Sequence, residues 1–247
     1  GVPKSHIYRI LRSGEVRVNS RRVDQTYRLQ VGDEVRIPPI RIAEKENAAP
    51  VPVGKPFDIA YEDDALLVLD KPAGLAVHGG SGVSFGVIEQ LRRQRPEARF
   101  LELVHRLDRE TSGLLIVAKK RSALTVLHDM MREGRVHKRY LTLVAGRWLN
   151  LQQHIKLALH KYLTEDGERR VSVSRDGKPA HSIVRLVRRW QTCSLVEVEL
   201  KTGRTHQIRV HLSHSGFPLF GDDKYGDFAL NKQLEKEGLK RMFLHAA

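Results

Sequence analysis

LELVHRLDRETSGLLIVA, Leu101 to Ala118, sets a charged centre inside an apolar frame. Its second half, Gly113 to Ala118, is a strong apolar strand pattern, and Thr111-Ser112-Gly113 reads as the turn before it. If Leu101 to Asp108 is extended, alternation puts Arg106 and Asp108 on one face and His105 and Leu107 on the other. A carboxylate beside a guanidinium suits a nucleophile or base better than a general acid. The plainer alternative is a surface ion pair at a strand end.

Working outward, strand patterns recur at Lys138 to Ala145, Ile183 to Val187 and Ser194 to Leu200. Asp58 to Tyr61 and Leu66 to Asp70 form a hairpin around the acidic turn Glu62 to Asp64, and Lys71-Pro72 ends its second strand. Helices are expected at Phe85 to Arg93, after the Gly-rich loop Gly79 to Gly86, and at Ser122 to Arg132. A further helix runs from a Thr205 cap to Ser215 and is closed by Gly216, with His206, Arg209 and Ser213 on one face. Strands outnumber helices and do not alternate with them, so the fold class is α+β, a mixed and mostly antiparallel sheet.

The front of the chain differs in composition. Residues 1 to 41 hold nine Lys or Arg against four Asp or Glu. Ser5 to Ser13 is a short amphipathic helix stopped by Gly14, followed by two short strands around Val16 to Val18 and Asp33 to Ile37. Pro38 to Pro56 is rich in Pro, Ala and charge without periodicity and reads as a linker.

The 247 residues carry a net charge of +14 and a pI near 10.1. Such a balance favours a polyanionic partner, nucleic acid ahead of an anionic membrane surface. No apolar stretch approaches the roughly 18 residues of a membrane span. The single Cys193 cannot close an internal disulfide, and no secretory signal opens the chain, so a reducing cytoplasm is expected. His206, His211 and His214 lack the spacing and partners of a metal site, so no metal is expected. Tyr140, in Lys138-Arg139-Tyr140 at a strand start, is on pattern alone a half-buried sheet aromatic.

HRLDRETSGLLIVAKK (His105 to Lys120), KRYL (Lys138 to Leu141), TGRTHQIRVH (Thr202 to His211), FGDDKYG (Phe220 to Gly226) and FLHAA (Phe243 to Ala247) resemble, in order and spacing, the RluA-type pseudouridine synthases. YEDDALLVLDKPAGLAVHGG (Tyr61 to Gly80) is similar to that family's first motif, with Asp70 where Asn is more usual. SHIYRILRSGEVRVNSRRV, in front, is similar to the helix and hairpin of an S4 RNA-binding domain. The resemblance implies an S4-like module over 1–38, a linker over 39–56 and a catalytic domain over 57–247. Against these families the chain lacks an opening helix and stops inside a motif that continues, so a trimmed chain is expected.

What the resemblance implies is isomerisation of uridine to pseudouridine without a cofactor, in 23S ribosomal RNA. The N1 glycosidic bond breaks, the base turns, and C5 rejoins C1′. Asp108 matches the catalytic aspartate, and whether it attacks C1′, attacks the base or takes the C2′ proton stays open. Arg209 matches the basic residue that pairs with it, and Tyr140 the aromatic packed on the target base. Arg106, His105, Arg204 and His206 fall in substrate-binding positions, and Arg9, Arg12, Arg17, Arg21 and Arg22 in the RNA-binding module. A base inside a helix cannot present C1′ to a side chain, so it must be flipped out. The alternatives are a related synthase with another ribosomal or transfer RNA target, a non-catalytic ribosome-assembly factor, and, weakest, a hydrolase or metalloenzyme. A monomer bound to RNA, away from any membrane, is the expected state.

Overall fold

The computed structural model describes residues 4–39, 54–79 and 85–247. Most of the expected linker (40–53) and the centre of the Gly-rich loop (80–84) lie outside the described residues. The chain divides into two units, Gly1–Pro50 and Val51–Ala247.

In the first unit, helix α1 (Lys4–Arg12) is followed by strands β1 (Arg17–Val18), β2 (Arg21–Arg22) and β3 (Val35–Arg36), paired antiparallel in the order β2-β1-β3. The expected two strands are therefore three. Arg21-Arg22 is invisible to pattern because it has no apolar residue to alternate with. Asn19 and Ser20 between β1 and β2 take φ of 49° and 64°, the left-handed pair a two-residue hairpin turn requires. The Asn19 side chain donates to Asp33 Oδ1 (2.6 Å) and accepts from the Glu34 N–H (2.9 Å), tying that turn to the approach to β3. Ile10 and Val18 are buried.

The second unit contains β4 (Asp58–Glu62), β5 (Leu66–Lys71), α2 (Val87–Gln94), β6 (Glu102–Leu103), β7 (Ser112–Ala118) and α3 (Arg121–Arg132). It continues with β8 (Lys138–Ala145), β9 (Gln152–Ile155), β10 (Leu159–Leu163), β11 (Arg169–Val173), β12 (Ser182–Arg189) and β13 (Cys193–Leu200). Helices α4 (Gln207–His214) and α5 (Phe228–Lys236) and strand β14 (Leu244–Ala246) complete it. The main sheet runs β4-β5-β7-β14-β8-β13-β12-β9, with β6 on β7. Its described pairings are antiparallel except β14 with β7. The mixed, mostly antiparallel α+β class is thus what the chain builds. β10 and β11 form a separate antiparallel hairpin.

Short β14 joins the two halves of the sheet, and Gly113 makes that possible. Its φ is +106°, and a Cβ there would collide with the Ala246 backbone. The core takes the inward residues of the strands, among them Leu67, Leu69, Leu115, Val117, Val196 and Val198, together with Val87, Ile88 and Leu91 of α2. Helix α4 buries Gln207 through Leu212 without a break, so its polar members need partners. His211 has them in Ser182 Oγ (3.0 Å) and the Leu157 carbonyl (3.0 Å).

Three local expectations are corrected. Leu101 to Asp108 is not one extended segment, because the strand ends at Leu103 and the chain bends at Val104 and His105. The turn before β7 is Asp108 to Thr111, where the Thr111 N–H donates to the Asp108 carbonyl (3.1 Å), and Ser112 already belongs to the strand. Thr205 does not cap α4. His206 stands at the cap with φ 53°, without a side-chain cap bond. The Gln207 amide instead fastens this end, accepting from the Arg204 N–H (3.0 Å) and Thr202 Oγ1 (2.8 Å) and donating to the His181 carbonyl (3.0 Å) and Ser182 Oγ (2.9 Å).

Candidate active site

Asp108 sits in the turn that enters β7, its side chain one-third exposed. The turn is held from beneath by Lys71, the last residue of β5, which is fully buried. The Lys71 ammonium donates to the carbonyls of Pro72 (2.8 Å), Leu75 (2.8 Å) and Arg109 (3.0 Å). The Gly74 N–H also donates to the Arg109 carbonyl (2.9 Å), and Arg109 Nε returns a bond to the Gly74 carbonyl (3.0 Å). Burial pushes Lys71 down to about 8, against the opposing pull of the Glu110 and Asp108 carboxylates.

Facing Asp108 are two groups from the start of α4. His206 Nε2 and Arg209 Nη1 each lie 3.9 Å from the same oxygen, Asp108 Oδ2. The pair expected of Arg209 with Asp108 is present at that distance, but Asp108 is not the guanidinium's main partner. The guanidinium gives its two-pronged face to Asp222, through Nε (2.7 Å) and Nη2 (2.6 Å), and reaches Asp223 at 3.3 Å. The Asp222 side chain is fully buried and also accepts the N–H groups of Lys224 (2.8 Å) and Tyr225 (3.0 Å). Burial alone would push the Asp222 carboxyl up, but the guanidinium and the backbone donors hold it below its ordinary value. Arg209 is thereby fixed as a cation with one edge left for Asp108.

Tyr225 underlies both. Its ring centroid is 5.1 Å from the Arg209 guanidinium carbon, and its hydroxyl meets His206 Nδ1 at 2.8 Å while accepting the Val171 N–H of β11 at 2.9 Å. Burial, with Arg209 and Lys224 adding to it, lowers the His206 pKa against the pull of Asp108 and Asp222. The φ of 53° at a non-glycine residue is a strained choice, costing on the order of 1 kcal/mol. It persists where the surroundings dictate it.

Tyr140, on β8, is buried; desolvation first and the Asp108 carboxylate second push its hydroxyl up to about 12, so it is a neutral phenol beside the carboxylate. Arg106 is exposed and makes no ion pair with Asp108 among the described residues. The shared face expected for the two depends on a strand that ends earlier. His105 turns inward, where its Nε2 accepts the Ile116 N–H (3.2 Å), and burial drives its pKa down to about 4. Arg204 is exposed, with Nε on the Pro179 carbonyl (3.2 Å). In the other unit Arg9, Arg12, Arg17, Arg21 and Arg22 are all exposed, and Arg9 pairs with Glu15 at 3.4 Å.

Asp108, Tyr140, His206 and Arg209 therefore converge, while Arg106 and Arg204 stand exposed and His105 serves the backbone. Residue-by-residue reading misses Asp222, Tyr225 and Lys71. Each lies inside one of the motifs, GDDKYG or DKPAG, whose polar residues look like ordinary turn chemistry until the fold brings them together.

Residues 65–214 match the family model described as RNA pseudouridylate synthase. Over its whole length the chain is 56% identical to proteins named Ribosomal large subunit pseudouridine synthase C from Salmonella typhimurium and Escherichia coli K12, covering 80% of each. It is 54% identical to the protein of that name from Haemophilus influenzae, covering 78% of it. Among solved structures, Human RNA Pseudouridylate Synthase Domain Containing 1 superposes with a TM-score of 0.66 at 28% identity, over 80% of this chain and 78% of that one. Human RNA Pseudouridylate Synthase Domain Containing 4 gives 0.61 at 26%, over 76% and 82%.

Proposed function

The chain belongs to the RNA pseudouridylate synthase family, and from that premise we propose that it isomerises uridines of large-subunit (23S) ribosomal RNA with Asp108 as the acting carboxylate. Uridine and pseudouridine contain the same atoms. The C1′–N1 bond breaks, the base turns within the site, C5 bonds to C1′, and the proton on C5 leaves for N1 by way of solvent or a side chain. No electron acceptor is consumed. Asp108 acts either as nucleophile or as base, the two roles open to an ionised carboxylate.

The observation that carries this reading is the asymmetry around Asp108. Both positive or donating neighbours, Arg209 and His206, approach Oδ2, which leaves Oδ1 for the nucleotide. Tyr140 supplies an aromatic face for the flipped base, in line with the cost of unstacking that such faces offset. Arg106, exposed beside the turn, helps hold the flipped-out nucleotide. Arg204 and His206 engage the nucleotide from the α4 side, and His105 acts by holding the turn to β7.

Residues 1–38 serve as the S4-like module, joined by 39–56 to the catalytic domain 57–247, with Arg9, Arg12, Arg17, Arg21 and Arg22 meeting phosphates. The relatives act on the RNA of the large ribosomal subunit by their names, and a net charge of +14 suits that partner. No described helix is long and apolar enough to cross a membrane. A monomer working in the cytoplasm is the state this reading implies. The test is a pseudouridine map of ribosomal RNA from cells with the protein, without it, and with Asp108→Asn in its place. Sites that vanish in the second and third cells are the targets.

A further inference from the structure

We propose that Tyr225 is a positioning residue for the reaction, whose hydroxyl fixes the tautomer of His206 so that Nε2–H, rather than a lone pair, faces Asp108. The inference rests on Asp108 as the acting carboxylate. It starts from the Tyr225 hydroxyl, which has one proton to give. Its oxygen accepts the Val171 N–H at 2.9 Å, and His206 Nδ1 lies 2.8 Å away. If Nδ1 carried the imidazole proton, the phenolic hydrogen would have no acceptor among the described residues, in a half-buried position where that is costly. The Nε2 lone pair would then also point at a carboxylate oxygen 3.9 Å away. With the proton on Nε2, every polar atom is served: Val171 gives to Tyr225, Tyr225 gives to Nδ1, and Nε2 gives toward Asp108 Oδ2.

The groups that face the imidazole are Asp108 from the β7 turn, Arg209 from α4, and Asp222, Lys224 and Tyr225 from the loop after Phe220. None but Tyr225 lies within hydrogen-bond distance of Nδ1 among the described residues. Tyr225 is itself fixed from several sides. Its N–H donates to Asp222 Oδ1 (3.0 Å), its carbonyl accepts from Ser213 Oγ (2.7 Å), and Arg170 of β11 lies over its ring at 5.7 Å. The His206 backbone is left-handed, with φ 53°, and its ring reaches Tyr225 through Nδ1 and faces Asp108 through Nε2.

The consequence is orientational. Arg209 and His206 both address Oδ2, so the carboxylate is held with Oδ1 toward the nucleotide. A separation of 3.9 Å shortens to a hydrogen bond once RNA closes the site, as catalytic hydrogen bonds commonly do.

The test has two independent arms. Two-bond proton–nitrogen correlation spectra of the full chain labelled with 15N-histidine, with His206 assigned by its loss in His206→Asn, read the tautomer directly. Wild-type His206 should be protonated at Nε2 alone at neutral pH, and Tyr225→Phe should show a mixture. In the second arm, single-turnover rates on ribosomal RNA lacking pseudouridine should fall about 3- to 10-fold in Tyr225→Phe, the worth of one hydrogen bond, with RNA affinity within about two-fold of wild type. His206→Gln, whose amide can place a donor where Nε2 was, should keep more activity than His206→Asn. Asn suits the left-handed backbone better but cannot reach Asp108. Protonation of wild-type His206 at Nδ1, or an Asn variant as active as the Gln variant, overturns the proposal. Turnover by Asp108→Asn would instead overturn the reading beneath it, and the spectra distinguish the two failures.

Discussion

Arg209 binds Asp222, not Asp108, with its two-pronged face: Nε and Nη2 donate to the Asp222 carboxylate at 2.7 and 2.6 Å, and Asp108 Oδ2 stands 3.9 Å from Nη1. The pair is almost wholly removed from water, with side chains 3% and 0% exposed. The pair fixes the orientation of a cation whose edge lies 3.9 Å from Asp108.

Breaking that pair leaves one desolvated charge without its partner, so Asp222→Ala and Arg209→Ala should each destabilise the second unit by about 3–5 kcal/mol. Urea unfolding followed by fluorescence would measure it. Arg209→Lys keeps the charge and loses the planar fork, and should fall between. Because the folded Asp222 pKa is held below its unfolded value, this carboxylate contributes stability at neutral pH. That contribution drains away as pH falls from the ordinary carboxylate range through the lower folded pKa. The acid limb of stability should therefore flatten in Asp222→Asn.

Lys71 predicts opposite trends for stability and activity. Its folded pKa, about 8, is below the value of about 10.4 in an unfolded chain. Between those pH values the unfolded chain holds more protons, so this group makes stability rise with pH. Loss of the ammonium weakens the three-carbonyl clamp under the Asp108 turn, so the single-turnover rate should fall above about pH 8. Lys71→Met should be slow at every pH, with RNA affinity within a few-fold of wild type, measured by filter binding.

Deleting residues 1–50 should leave the second unit cooperatively folded, because the buried cluster of its sheet and helices lies within it. RNA binding should weaken, and the dependence of log affinity on log salt should flatten by somewhat under one unit for each phosphate that the front arginines neutralise. An unchanged slope would mean the five front arginines meet no phosphate.

The strands that alternate or run apolar, such as Gly113 to Ala118 and Lys138 to Ala145, are legible because burial of one or both faces imposes a period on the sequence. β9, with Gln152-Gln153-His154, and the three-residue β14 are not, since an edge strand and a short bridging strand carry too little apolar pattern. Asp108, Tyr140, His206 and Arg209 are legible as a motif resemblance, and the structure brings them to one place. The partner of Arg209 is not. Asp222 sits in an Asp-Asp turn that looks solvated, and only the fold shows it fully buried. The place expected for Arg106 beside Asp108 fails because it requires an extended segment, and the strand ends at Leu103.

The most direct measurement is tritium release from 23S ribosomal RNA labelled at uracil C5, using the wild-type chain and Asp108→Asn side by side. Asp108 has no close hydrogen-bond partner through its side chain among the described residues and is one-third exposed, so the variant should stay folded, within about 0.5 kcal/mol. It should bind RNA within a few-fold of wild type. Wild type should release one tritium per target uridine and Asp108→Asn none above background. Sustained release by Asp108→Asn would contradict the assignment of the acting carboxylate.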